Sequence, residues 1–182
     1  MSAEGDRAVA AQAAAGDAAA FATLVESHAP RLHRWLVATG TAHHDAEDVV
    51  QEAFLRAHAA IARYDARWAF STWLFTIAHR VRLDLAARRR DHAPLEDVHA
   101  TASAPADPLP AGGLWRRARD LLPEDDFRLL WLHYAEDQAP SAVARVLRIN
   151  PIAARVRLHR ARKRLEAALR ADPSFTPAEA LS

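Results

Sequence analysis

Apolar residues recur at helical spacing through almost the whole of this chain, and only one stretch interrupts them. From Phe21 to Leu85, and again from Leu114 to Leu169, they fall at i, i+3, i+4 and i+7. That period belongs to amphipathic helices, and no alternating apolar and polar run is long enough for a convincing strand. Residues 93–113 break the pattern with Pro94, Pro105, Pro108, Pro110, Gly112 and Gly113 among small and acidic residues. Such a stretch is expected to form an extended, flexible linker. The 182 residues therefore predict an all-α chain of two small helical domains, over 14–91 and 114–171, joined by a tether over 92–113.

Local signals place the elements. Asp17 is a good N-cap for a first helix that carries Phe21, Leu24, Val25 and His28 on one side. Pro30 is expected to kink or restart it before it continues through Leu32, Trp35 and Leu36 to Gly40. A second helix from His43 has Ala46, Val49, Val50, Ala53, Phe54, Ala57, Ala60 and Ile61 as its apolar stripe. After a loop from Tyr64 to Ala69, a third helix, capped by Ser71 or Thr72, buries Phe70, Trp73, Leu74, Ile77, Ala78, Val81 and Leu85. Beyond the linker come a helix over about Leu114 to Leu121, another from Pro123 to Tyr134, and a short helix capped by Ser141. Asn150-Pro151 then starts a longer one, with an Asn cap and Pro in the first helical position.

Charge is segregated although the formal net charge is only +1. Residues 43–52 hold Asp45, Glu47, Asp48 and Glu52 with no Lys or Arg, whereas residues 152–170 hold Arg155, Arg157, Arg160, Arg162, Lys163, Arg164 and Arg170 against Glu166 alone. Segregation of this kind bears on partners more than on fold. A short helix, a tight turn and a longer basic helix is the helix–turn–helix layout, whose second helix enters the major groove of DNA. Asp48, Glu52 and Leu55, with Gln51 beside them, lie away from the core stripe, and an exposed leucine ringed by carboxylates suits a basic protein helix. Tyr64 and Trp68 in a loop, followed by Thr72, Thr76, His79 and Arg80 on one helix side, suit unstacked bases.

Other classes are excluded. Cysteine is absent, which rules out disulfides and thiolate metal sites and suits a reducing cytoplasm. No apolar run approaches the roughly 20 residues that span a bilayer, and the start of the chain lacks a signal-peptide pattern. There is no P-loop, no His-Glu-x-x-His run and no Ser/His/Asp arrangement. The adjacent histidines His43 and His44, beside Asp45 and Glu47, do not converge on one ion. No enzyme activity, cofactor or metal is expected.

In order, AEDVVQEAFLRAHAAI, FSTWLFTIAHR with its Arg-rich end, the Pro-rich linker, LLPEDDFRLLWLHYAED and RVRLHRARKRL resemble the extracytoplasmic-function sigma factors, the minimal bacterial sigma-70 type. The resemblance runs from about Gly16 to Leu169 and implies a sigma2-like bundle and a sigma4-like helix–turn–helix. It implies that Asp48, Gln51, Glu52 and Leu55 grip the clamp helices of the largest RNA polymerase subunit, with the polymerase flap as a second contact. It implies that the Tyr64–Ala69 loop, with Trp68, and Thr72, Thr76, His79 and Arg80 capture a flipped base of the −10 element. Arg88, Arg89 and Arg90 would lie near the DNA backbone, and Arg155, Arg157 and Arg160 would read the −35 element. Glu96, Asp97 and Asp107 would imitate RNA phosphates near the RNA exit path. An anti-sigma factor is an implied partner.

The chain departs from the family pattern in three places. Arg80 stands where Asn is usual, and Arg148 where the turn usually has Gly, a cost of roughly 1 kcal/mol if that residue is left-handed. Ile152, Ala153, Ala154, Arg155 and Val156 replace a run like Gly-Thr-Val-Lys-Ser. Fewer hydroxyl donors predict weaker base discrimination at −35, or contacts with thymine methyls. This altered helix keeps open an alternative, a sigma-like decoy that binds an anti-sigma factor without initiating transcription. A stand-alone DNA-binding regulator would leave residues 17–90 unexplained.

Overall fold

The computed structural model describes residues 3–92 and 113–171, with side chains described over 5–89 and 113–171. Residues 93–112 of the expected linker, with Glu96, Asp97 and Asp107, lie outside the described residues, as does the side chain of Arg90. Every element among the described residues is helical. They form two compact units: residues 3–92 apart from Val37–Gly40, and residues 113–171 together with Val37–Gly40.

The first unit opens with a helix that sequence reading passed over. α1 (Ala3–Ala14) packs on a 3-10 turn at Ile61–Arg63 and on α4 (Phe70–His92). Its inward residues are small, with Ala10 and Ala13 buried beside Asp6. An alanine-rich segment shows no stripe of large apolar residues, so the signal lay only in alanine's helix propensity. α2 (Ala18–Ala38) starts as expected, with Asp17 Oδ1 accepting the Ala19 and Ala20 N–H groups at 2.9 and 3.1 Å. It does not restart at Pro30, which sits exposed inside a continuous helix. The buried neighbours Leu24, His28, Leu32, Trp35 and Leu36 offset the one backbone bond that proline removes.

α3 (His43–Ala60) buries Ala46, Val49, Ala53, Phe54 and Ala57 as its stripe predicts, while Val50 and Ala60 are only half-buried. Phe21 meets Phe54 edge-on, ring centroids 6.4 Å apart at 87°. α4 begins one residue earlier than its expected caps. Trp73 N–H bonds the Ala69 carbonyl at 3.2 Å, so Ser71 and Thr72 lie in the first turn and cap nothing. The buried face of α4 carries Phe70, Leu74, Phe75, Ala78 and Val81, leaving Trp73, Ile77 and Leu85 half-buried. Phe75, absent from the expected core, faces Trp35 at 5.2 Å, and His28 faces Phe70 at 5.2 Å. The packed face is therefore rotated from the one the sequence suggested.

In the second unit α5 (Leu114–Leu121) and α6 (Glu124–Leu130) close around Trp115, Phe127 and Trp131, whose rings lie 4.9–6.0 Å apart. The expected single helix to Tyr134 instead widens into a π turn at Trp131–Ala135, closed by Glu136 N–H on the Trp131 carbonyl at 3.1 Å. The Trp131 indole donates to Glu136 Oε1 at 3.3 Å, which ties the turn to its first residue. α7 (Pro140–Leu147) starts at proline, and Ser141 is exposed in the helix rather than capping it.

The turn that follows decides where α8 (Pro151–Ala171) points. Arg148 is left-handed at φ 55°, ψ 41°, as the missing glycine implied. Ile149 N–H bonds the Ala144 carbonyl at 3.0 Å and Arg148 N–H the Arg145 carbonyl at 3.4 Å, the Schellman pattern. Asn150 Oδ1 then accepts the Ile152 N–H at 2.8 Å and caps α8 as expected.

Candidate functional site

Three surfaces carry the candidate residues. On α3, inward Ala46, Val49, Ala53 and Ala57 turn the opposite positions outward. Asp48, Gln51 and Leu55 are exposed and Glu52 is partly so, with Leu55 60% exposed. Gln51 and Leu55 form a ridge between two concavities. One, of 470 Å³, is lined by Asp48, Glu52, Arg56, Asp84 and Arg88 from α3 and α4. The other, of 690 Å³, is lined by apolar Phe21, Val25, Ala29 and Phe54 from α2 and α3. An exposed leucine flanked by carboxylates and an apolar trough is chemistry for another protein's helix. Arg56 and Asp84 were not singled out from sequence, and Arg88, expected near the DNA backbone, lines this concavity instead. Arg56 holds Glu52 at 2.6 Å and Asp84 at 3.3 Å, so the carboxylate face is already partly neutralised by its own chain.

The second surface differs most from expectation. Thr72, Thr76 and His79, expected to project outward, are buried at 2%, 6% and 7% exposure, and Arg80 alone of that group is exposed. Thr76 Oγ1 donates to the Thr72 carbonyl at 2.7 Å, and the His79 ring lies 6.2 Å from Trp35. Trp35 of α2 lies against His79, and the burial of this face is an outcome that hydroxyl and imidazole side chains do not advertise in sequence. The loop is also more structured than expected. Tyr64 donates its hydroxyl to the Trp68 carbonyl at 2.6 Å and packs on Phe70 and Trp73 at 5.8 and 5.4 Å. Burial holds the Tyr64 phenol above its ordinary range, so it stays a donor. Tyr64 thus shapes the loop, and half-buried Trp68 presents less ring than a free loop residue. Arg89 does not project freely either: it pairs with Asp45, and its Nη2 lies 3.4 Å from His44 Nε2.

On the third surface, α8 buries Ala154, Leu158 and Ala161, with Leu165 and Leu169 half-buried. The opposite side carries Ile152, Arg155, Val156, His159, Arg160 and Lys163, all exposed. Ile152 and Val156 stand 70% and 43% exposed, large apolar groups that no core claims. Arg157 is set apart from Arg155 and Arg160. Its guanidinium lies 3.7 Å from Asp125 and 3.8 Å from Asp126 in the first turn of α6, and Arg164 also pairs with Asp126. Sequence reading left His159 out of this face; counting back from buried Ala154 and Leu158 places it there.

Among the described residues, three possible metal ligands come together at His33, His43 and Glu47. His43 and His44 diverge as expected, one towards Glu47 and the other towards Asp45. No helix among the described residues is long and apolar enough to cross a membrane.

Comparison with known proteins places these surfaces in context. The family description Sigma-70 region 2 matches residues 24–92, and Sigma-70, region 4 matches residues 114–165. The ECF RNA polymerase sigma factor SigM of Mycobacterium tuberculosis is 43% identical over 96 residues, which are 50% of this chain and 48% of SigM. The chain thus spans about half the length of that relative. The RNA polymerase sigma factor CarQ of Myxococcus xanthus is 32% identical over 153 residues, 80% of this chain and 87% of CarQ. The solved structure of CnrH in complex with the cytosolic domain of CnrY superposes with a TM-score of 0.64 at 29% identity, covering 92% of this chain and 98% of that one.

Proposed function

Because the chain belongs to the sigma-70 family, among the extracytoplasmic-function sigma factors, we propose that it is a promoter-specificity subunit of bacterial RNA polymerase. In this reading Asp48, Gln51, Glu52 and Leu55 dock on the clamp helices of the largest subunit, with Arg56 and Arg88 at the edge of the contact and the polymerase flap meeting the second unit. The α8 face holds the −35 element. Arg155, Arg160 and Lys163 supply phosphate attraction, and Ile152 and Val156 supply apolar contact of the kind thymine methyls accept. The observation that carries the reading is the presence, on one chain, of an exposed acidic and leucine face and a capped basic helix projecting from a Schellman turn.

For the −10 element the reading narrows to Arg80 and the Tyr64–Ala69 loop. Thr72, Thr76 and His79 are buried and do not meet a base in the packed state. Arg88 stays on the DNA side of the proposal. Arg89 joins only if its pair with Asp45 opens, and Arg90 is retained from the family resemblance alone. The protein is proposed to act in the cytoplasm without an enzymatic activity of its own. An anti-sigma partner is proposed as well, supported by the capture of CnrH with the cytosolic domain of CnrY.

Run-off transcription from genomic fragments with purified core polymerase tests the reading. Promoter-dependent transcripts are expected. Binding to core without any transcript would select the decoy alternative, and absence of both would overturn the proposal. In the same assay, single-base changes at −35 are expected to alter yield only shallowly, because α8 lacks hydroxyl donors on its outer face; steep base preference there would refute that part.

A further inference from the structure

At the end of the apolar trough, His33 on α2 meets His43 and Glu47 on the first turns of α3. One ligand atom from each lies within 4.8 Å of the other two. We infer that these three side chains form a binding site for a divalent transition-metal ion of the zinc class, with a further coordination position open to solvent. The inference is independent of the proposed role in transcription.

Geometry carries it first. His43 and Glu47 are one helical turn apart, the spacing that puts two ligands on one face, and His43 Nδ1 lies 3.4 Å from Glu47 Oε1. Bonds of about 2.0–2.1 Å at tetrahedral angles separate neighbouring ligands by roughly 3.4 Å. This pair therefore already has the required spacing. His33 arrives from the other helix, its ring centroid 4.6 Å from that of His43 with the planes at 67°. Edges of up to 4.8 Å must contract by about 1.4 Å to reach that tetrahedral spacing. Small side-chain rotations can supply this, since His43 and Glu47 are 44% and 66% exposed.

Chemistry points the same way. His33 Nε2 is buried with no hydrogen-bond partner among the described residues, an arrangement that disfavours the folded state while unsatisfied. The neutral imidazole ring is the form that ligates metal. Two imidazoles and one carboxylate select zinc, nickel, copper or cobalt over magnesium or calcium, which prefer all-oxygen shells. Three protein ligands leave room for water or for a group from a partner. His33 and Glu47 also line the apolar trough beside Gln51 and Leu55. A bound ion would pin α2 to the start of α3 at the end of that trough.

The test is cobalt(II) and zinc titration of the tag-free full chain, read by visible ligand-field absorption and by thermal unfolding. Expected are one equivalent of cobalt with four- or five-coordinate bands, and a Tm that rises with zinc by linkage. His33→Gln, His43→Gln and Glu47→Gln should each weaken binding at least tenfold, since loss of even an outer-shell partner costs about that much. The chain has ten histidines, so His44→Gln serves as the control that should bind as the parent does. If His33→Gln compromises folding, the exposed Glu47→Gln variant still decides the matter. Absence of saturable binding, or binding that Glu47→Gln and His43→Gln leave unchanged, would overturn the inference.

Discussion

Single residues in this chain reveal where local strain and charge have been placed. Arg148 sits at φ 55° where the Schellman turn favours glycine, and its side chain is exposed. Arg148→Gly is therefore expected to stabilise the second unit by about 1 kcal/mol, a rise of roughly 4–8 °C in its unfolding midpoint for a unit of this size. Differential scanning calorimetry checks this, and an unchanged or lowered midpoint would mean the arginine side chain contributes contacts that outweigh the backbone cost. On α8 the cations are no longer equivalent. Arg160→Ala is expected to weaken DNA binding across sequences and to flatten the salt dependence by about one unit per lost phosphate contact. Arg157 faces Asp125 and Asp126, so Arg157→Ala should change the salt slope less and the folding of the second unit more. Equal slopes for the two variants would show that Arg157 leaves α6 when DNA arrives.

At the scale of the element, α1 shows how a helix without large apolar residues is held. Its contribution to the buried region is Ala10, Ala13 and Asp6, and Asp6 Oδ2 lies 3.2 Å from His28 Nε2 on α2. Burial holds the His28 pKa below 6.5, with Arg31 acting in the same direction and Asp6 opposing it. A depressed histidine pKa means the folded state favours the neutral ring and the unfolded state takes up protons more readily. The stability due to His28 is therefore fully present above pH 6.5 and is lost as pH falls from there towards the depressed folded-state pKa. Hydrogen exchange of the α1 amides should accelerate, beyond the intrinsic pH effect, between about pH 7 and about pH 5. The same acceleration in His28→Gln would assign it to another group. α4 teaches a related lesson, since its hydroxyl-bearing side turned out to be the packed one. Threonine and histidine are amphipathic enough to lie on either side, and the neighbouring helix chose.

Over the whole molecule, charge separates into an acidic and leucine face on the first unit and a basic helix on the second. This separation makes the two proposed contacts independently removable. Replacing Asp48 and Glu52 by Arg is expected to abolish association with core polymerase, while helicity by circular dichroism and DNA affinity through α8 stay within about twofold. Retained association would move the docking surface away from α3. Arg56 would lose Glu52 and face a new arginine one helical turn away while keeping Asp84 as a partner, which adds local repulsion in the variant. Much of the architecture is written in local pattern: the all-helical class, the Asp17 and Asn150 caps, the tight turn before Asn150, the stripe of α3 and the charge segregation. Each depends on residues within a few positions of one another, where backbone geometry leaves few choices. Tertiary packing alone decided that Thr72, Thr76 and His79 face inward, that Arg157 and Arg164 turn to α6, and that His33 meets His43 and Glu47. Those outcomes depend on how one helix is rotated against another, a quantity set by the summed fit of many side chains and carried by no single stretch of sequence.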